Sequence, residues 1–125
     1  MTTKDIGDIG EKAAAGFLRE NGYKITARNK HLSHKEIDII AEDKSFIVFA
    51  EVKTRTADPD EASQYGVPSS AVTFKKRSCL VDAARAYLRQ NHTEKQPRMD
   101  VIEVWLDEER KVVKINHIRN AFGAR

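Results

Sequence analysis

The sequence has little cysteine and no long apolar segment, and each absence excludes a class of protein. Cys79 is the single cysteine, so no disulfide can form within the chain. It lies in a helical pattern beside Leu80 and Val81, which favours core packing over a role as nucleophile. No apolar run approaches membrane-spanning length, and the N-terminal MTTKDIGDIG lacks the apolar core of a signal peptide. We therefore expect a cytoplasmic protein that does not bind a membrane.

Several motifs with known chemistry are also missing from the sequence. It contains no glycine-rich phosphate loop, no nucleophilic triad pattern, no repeat and no low-complexity tract. No aromatic-rich segment indicates stacking on single strands. None of the four histidines has a spacing typical of metal ligands, so none is assigned as one: His31, His34, His92 and His117.

The length and charge of the chain indicate the number of domains and the kind of partner. The chain has 125 residues, which fits a single domain over residues 1–125 with one core. Its formal net charge is +3 and its pI is about 9.0, consistent with nucleic-acid binding but not diagnostic of it. Basic clusters occur at residues 30–35, 53–55, 75–77 and 95–98. For each cluster a solvated face is the alternative to phosphate contact.

The central stretch, Glu36 to Arg55, predicts two strands joined by a polar turn. Strand alternation places Glu51 and Lys53 on one face, with Phe46, Val48, Ala50 and Val52 on the other. If the loop is Asp43 to Phe46, Asp38 lies directly opposite Glu51. If the loop is only Asp43-Lys44, the two carboxylates are diagonal neighbours. In both registers they converge.

Charges at the end of so apolar a strand need an explanation. Burying either charge alone would cost several kcal/mol, and directly opposed like charges are destabilising. A divalent cation would remove that penalty, and two carboxylates suit Mg²⁺ or Mn²⁺. The alternative is a solvated face with weak ion pairs, and the pattern alone does not decide between them.

The other segments predict an α/β layered domain in the order helix, three strands, helix, two strands. The first helix carries Ile6, Ile9, Ala13, Phe17 and Leu18 and stops at Asn21-Gly22. A second helix, capped by Ser69 or Ser70, runs to about Gln90. The remaining predictions are a strand at 23–29, a basic connection at 30–35, a mobile loop at about 56–68, strands at 98–105 and 111–115, and a docking turn at 117–122.

Asp38 followed by Glu51-Val52-Lys53 resembles the signature of the PD-(D/E)xK nuclease superfamily. The sequence around these residues is similar to the YraN-like proteins, a bacterial family that resembles archaeal Holliday junction resolvases. The blocks that carry this resemblance are GDIGEKAAAGFLRENGYKITARN, KEIDIIAED, FIVFAEVKTR, KKRSCLVDAARAYL, PRMDVIEV and INHIRNAF. Lys35 departs from the family, which usually has glycine there, and a turn that depends on glycine would be altered ahead of Asp38.

The resemblance implies a restriction-endonuclease-like fold, a mixed central sheet flanked by helices, and metal-dependent hydrolysis of DNA phosphodiesters. Asp38 and Glu51 would hold Mg²⁺ or Mn²⁺ with the Val52 carbonyl, and Lys53 would orient water or stabilise developing charge. Glu11, otherwise an exposed acid favoured by the helix dipole, becomes the third acidic member of the site and would complete or adjust the metal shell. The residues expected to hold the nucleic-acid backbone are Lys35, Arg55, Lys75, Lys76 and Arg77.

The expected substrate is DNA, with branched or junction DNA suggested by the relatives, which also suggest a homodimer; RNA stays open. A non-catalytic nucleic-acid-binding module with the same fold is the alternative function. A third hypothesis is a metal-stabilised interaction protein. Salt-dependent DNA binding separates the third from the first two, and metal-dependent cleavage separates the first from the second.

Overall fold

The computed structural model describes residues 3–32, 35–56 and 74–122. Its elements follow the predicted order of helix, three strands, helix and two strands. They are α1 (Thr3–Glu20), β1 (Lys24–Leu32), β2 (Lys35–Glu42), β3 (Phe46–Thr56), α2 (Phe74–Gln90), β4 (Gln96–Leu106) and β5 (Val112–Phe122). The strands form one sheet in the order β1-β2-β3-β4-β5, in which only β3 and β4 pair in parallel. The prediction of a mixed α/β domain is therefore confirmed.

Two predicted features lie outside the described residues. The loop at about 56–68 is described only at Thr56, which ends β3, and the proposed caps Ser69 and Ser70 precede the described part of α2. Among the described residues, no helix combines the length and the apolar character needed to cross a membrane.

The end of α1 follows the predicted Asn21-Gly22 signal. The Asn21 side chain donates a hydrogen bond of 2.8 Å to the carbonyl of Phe17, which satisfies one of the acceptors left at a helix end. Gly22 then adopts φ +90°, a backbone conformation that glycine tolerates without strain. The chain turns there into Tyr23 and β1.

The β2–β3 turn fixes the register of the central hairpin. Asp43 Oδ1 accepts hydrogen bonds from the amides of Ser45 and Phe46 at 2.9 and 2.7 Å. The Asp43 amide in turn donates to the carbonyl of Phe46 at 3.1 Å. Glu42 consequently pairs with Ile47, which is the register of the longer of the two predicted loops.

Alternation along β3 divides the core into two layers. Val48 and Ala50 pack with α1, whereas Ile47 and Phe49 pack with α2 on the opposite face of the sheet. Glu51 and Lys53 follow Phe49 at a spacing of two residues, so they lie on the α2 face. The prediction that these two charged residues share one face is confirmed.

Two local predictions were wrong. The basic connection expected at residues 30–35 is mostly strand, because β1 continues to Leu32 and β2 begins at Lys35. The docking turn expected at 117–122 is also strand: the strand expected at 111–115 is confirmed, but it continues as β5 from Val112 to Phe122. Both segments are polar and partly exposed, so hydrophobic alternation does not mark them.

A buried network of hydrogen bonds connects the C-terminal part of β5 to β4. Arg98 donates two hydrogen bonds to Asp100, of 2.9 and 2.8 Å, and a third of 2.7 Å to the Tyr23 hydroxyl. His117 Nε2 lies 2.7 Å from Asp100 Oδ2, and the amide of Asn120 donates to Oδ1 at 3.0 Å. Burial raises the pKa of Asp100, but these hydrogen bonds outweigh burial and leave the pKa below its usual value.

Candidate active site

Asp38 and Glu51 lie where β2 and β3 stop pairing. The last pair of the ladder is Ile39 with Ala50, and Asp38 and Glu51 are the next residues on their strands. Instead of a backbone pair, Asp38 Oδ2 accepts a hydrogen bond of 2.8 Å from the amide of Val52. The Asp38 side chain is thereby held against β3 at the residue that follows Glu51.

The Asp38 carboxyl is electrostatically unfavourable in its ionised form. Burial raises its pKa to about 7, the negative charge of Glu51 adds to the shift, and the Val52 hydrogen bond opposes it. The charges of Glu11 and Glu36 raise the pKa further. The site therefore holds an excess of negative charge around Asp38, which a cation would relieve.

Lys53 is the cation of the predicted group. Its Nζ lies 3.9 Å from Glu51 Oε1, and the two side chains are 25% and 16% exposed. At that distance the pair is ionic and not a strong hydrogen bond. The structure thus brings together Asp38, Glu51, Val52 and Lys53 at the end of one ladder, as the sequence predicted.

Glu11 reaches this region from α1. The helix approaches β3 closely at Gly10, where an added Cβ atom would clash with the Thr54 side chain. Burial raises the pKa of Glu11 against the lowering effects of Arg28 and a hydrogen bond from Asn29. Its Oε1 is buried and has no hydrogen-bond partner among the described residues. Glu11 is also close enough to Asp38 to raise its pKa, as expected of an acidic neighbour.

Glu36 is an acidic neighbour that the sequence analysis missed. It raises the pKa of both Glu11 and Asp38, and its carboxylate pairs with His31 at 3.1 Å. The available signal was its spacing of two residues from Asp38 on β2. Glu36 and Glu11 help line an open depression of about 420 Å³ with Lys4, Gly7, Asp8, Asn29 and His31.

The donor set fits a cation held by two carboxylates better than a closed protein cage. Within residues 3–32, 35–56 and 74–122, no three His, Cys, Asp or Glu side chains form a group that could hold a metal ion. Mg²⁺ commonly uses one or two carboxylates and fills its other positions with water and substrate phosphate. Asp38 and Glu51 suit that mode. All four proposed ligands stay predictions: Asp38, Glu51, Glu11 and the Val52 carbonyl.

The predicted phosphate-binding cations are distributed over three elements. Arg55 follows Lys53 on the same face of β3 and is 31% exposed. Lys35 starts β2, where its Nζ pairs with Asp82 of α2 at 3.0 Å. Lys75, Lys76 and Arg77 lie in the first turn of α2, and their side chains are outside the described part of the structure.

A second missed acid, Glu103, lies beside this cationic stretch. It is on β4 in register with Lys53, and its side chain is fully buried. Oε1 accepts a hydrogen bond of 3.1 Å from Asn116 of β5, and Oε2 lies 3.6 Å from Arg55 Nε. Glu103 lies between Val101-Ile102 and Val104-Trp105 in a strand pattern, so only its charge inside that apolar run could have indicated it.

The fold and these residues define an α/β domain whose acidic centre lies at an opening between two strands of a mixed sheet. The chain belongs to the uncharacterised protein family UPF0102, whose model matches residues 10–104. It is 46% identical to a UPF0102 protein of Caldanaerobacter subterraneus over 124 residues, covering 98% of each chain. A UPF0102 protein of Clostridioides difficile is 43% identical over 98% of this chain and 100% of its own. A third, from Clostridium botulinum, is 43% identical over 95% of this chain and 94% of its own. The resemblance to the YraN-like family is thereby confirmed.

Proposed function

We propose that this protein is a metal-dependent endonuclease that hydrolyses DNA phosphodiester bonds, with branched or junction DNA as the preferred substrate. The observation that carries the proposal is the convergence of Asp38 and Glu51. Burial and a second carboxylate raise the pKa of Asp38 to about 7, yet the Val52 amide holds its side chain in place. Such an arrangement costs stability and suits a cation site.

Mg²⁺ or Mn²⁺ held by Asp38 and Glu51 would supply Lewis acidity to the scissile phosphate and acidify water at the site. Glu11 would adjust the charge around Asp38 from α1. Lys53, close to Glu51 and one-quarter exposed, would orient the attacking water or stabilise charge that develops on the phosphate.

Substrate contacts would be made chiefly to the nucleic-acid backbone. Arg55 lies beside Lys53 on β3, and the cluster Lys75, Lys76 and Arg77 begins α2. Backbone contacts carry no sequence information, so we expect selection by shape and not by base sequence. The preference for branched DNA, and a homodimer matched to it, rest on the sequence resemblance to junction-cutting nucleases.

Cleavage by purified protein tests the proposal directly. Branched, flapped and linear DNA of matched sequence would be incubated with Mg²⁺, Mn²⁺ or EDTA. We expect nicking that requires metal, is fastest on a branched substrate, and is lost in an Asp38→Asn variant. Salt-dependent binding without cleavage under every metal would overturn the enzyme and leave the non-catalytic binding module. A protein that neither binds nor cleaves any of these DNAs would overturn both the enzyme and the binding module.

A further inference from the structure

Glu103 is a fully buried carboxylate beside Lys53 and Arg55, the partly exposed cations of β3. Its side chain has 0% exposure. Asn116 satisfies Oε1, whereas Oε2 is buried and has no hydrogen-bond partner among the described residues. Arg55 forms an ion pair with it, and the Arg55 Nε lies 3.6 Å from Oε2.

The pairing of Glu103 with Arg55 is not expected to stabilise the fold. A buried charge must be paired and hydrogen-bonded to offset its desolvation, and replacing such a pair with apolar residues is often neutral or stabilising. At 3.6 Å, Arg55 supplies Coulomb attraction to Glu103 without a hydrogen bond of good geometry. A role outside stability would explain an acid at this position.

The location of the pair indicates that role. Glu103 is in register with Lys53 on the neighbouring parallel strand, and Arg55 is the next residue on that face of β3. The Arg55 side chain forms an ion pair with the fully buried Glu103, and 31% of the Arg55 side chain remains exposed. Arginine loses rotamer freedom when it binds phosphate, so a group that restrains it beforehand favours binding.

We propose that Glu103 is a positioning residue that holds Arg55 for contact with a backbone phosphate of the nucleic acid. The inference rests on the proposed function, because that function supplies the phosphate. Glu103 itself would not touch the substrate, since its carboxylate is buried. Asn116, through its hydrogen bond to Oε1, would fix the orientation of the carboxylate.

The direction in which Glu103→Gln changes DNA affinity separates the positioning role from a purely electrostatic one. Glu103→Gln keeps the shape and an oxygen for Asn116 but removes the negative charge. If Glu103 only adds negative charge near bound phosphate, its removal strengthens DNA binding. If it positions Arg55, its removal weakens binding several-fold and lowers the salt slope by about one, as the loss of one phosphate contact does.

The test is a double-mutant cycle on binding of a fixed branched DNA in EDTA at several salt concentrations. The proteins are the wild type, Arg55→Ala, Glu103→Gln and the double variant. We expect each single variant to lose similar affinity and salt slope, and the double variant to lose little more. Glu109→Gln is the matched control, because its carboxylate pairs with Lys111 at 3.6 Å and both side chains are 75% exposed. Unchanged or tighter binding by Glu103→Gln, or fully additive losses, would overturn the inference.

Urea unfolding of the same four proteins keeps this inference distinct from the proposed function. The cycle of unfolding free energies needs no DNA, and we expect it to show coupling between Arg55 and Glu103. A wild type that binds DNA without such coupling would overturn the positioning role alone. Coupling in a protein that binds no DNA would overturn the proposed function and, with it, the phosphate role of Arg55.

Discussion

The Asp38 carboxylate accepts a 2.8 Å hydrogen bond from the amide of Val52, whose preceding residue, Glu51, repels the same carboxylate. One backbone group therefore holds Asp38 at a position where burial and a neighbouring charge disfavour its ionised form. A site that is fixed before its ligand arrives loses little entropy on binding. The Val52 hydrogen bond and the Glu51 charge act on Asp38 in opposite directions, and this opposition leads us to expect that metal and pH both change the stability of the fold.

Mn²⁺ or Mg²⁺ should stabilise the folded protein by binding at Asp38 and Glu51. A ligand present at 100 times its dissociation constant stabilises the native state by about 2.7 kcal/mol. We therefore expect the melting temperature to rise with metal concentration in the wild type. The rise should disappear in an Asp38→Asn, Glu51→Gln double variant.

The control for this experiment makes the same two chemical changes at exposed acids. Asp82→Asn with Glu94→Gln removes two carboxylates that are 53% and 93% exposed. This variant should keep the metal-dependent rise. An equal rise in the Asp38, Glu51 variant would exclude these two residues as the ligands.

Without metal, stability should fall as the pH rises through the neutral range because of Asp38. Its pKa in the folded state is raised to about 7, so the folded protein holds a proton that the unfolded chain has already released. Below about pH 4 both states are protonated and the contribution is fully present; it is lost as the pH rises towards 7. One such proton gives a slope of about 1.4 kcal/mol per pH unit at most.

Urea unfolding between pH 4 and 8 in EDTA measures this slope. Asp38→Asn should flatten it, and should therefore stabilise the protein more at pH 8 than at pH 5. The exposed substitution Asp82→Asn should leave the slope as it is in the wild type. A slope that persists in Asp38→Asn would assign the pH dependence to another group.

The sequence predicted the central hairpin and its acidic pair for a physical reason. Strand alternation fixes which residues share a face, and the Asp43 turn restricts the register to two choices. Asp38 and Glu51 converge in both, so their proximity did not depend on choosing the correct loop. The element order followed equally well from apolar periodicity in both helices and in β4.

Features that depend on tertiary contacts could not be predicted in the same way. The end of β5 is held by His117 and Asn120 against Asp100, and these polar contacts have no sequence period. β1 is an edge strand with few buried residues, so its extension to Leu32 showed no alternation. Glu103 lies beside the cations of β3 because β3 and β4 pair, and the sequence of one strand does not encode that pairing.

The cluster Lys75, Lys76 and Arg77 should contact DNA phosphate from the start of α2. Replacing all three with Ala should weaken binding uniformly across sequences and reduce the salt slope by about one for each cation that contacts phosphate. A matched control removes three exposed cations elsewhere, Arg19, Arg89 and Lys111. If both triple variants change the slope equally, the cluster contributes only to the overall charge.

Lys53 distinguishes a catalyst from a binding protein. If it acts on the attacking water or the transition state, its loss should reduce the rate far more than the affinity. Lys53→Ala should then bind DNA nearly as tightly as the wild type, still take up metal, and cleave more slowly by about two orders of magnitude or more. Single-turnover cleavage and equilibrium binding on the same protein preparations measure the two effects separately.

The Lys53→Arg variant separates a catalytic role of Lys53 from a role in binding alone. A guanidinium is a wide planar fork and cannot replace a compact ammonium next to Glu51, so Arg should not restore cleavage. Lys111→Ala, which removes an exposed lysine, should cleave at the wild-type rate. If Lys53 only pairs with Glu51 or touches phosphate, Ala should weaken binding and Arg should largely restore it. That result would leave the acidic centre intact but would remove Lys53 from the chemistry.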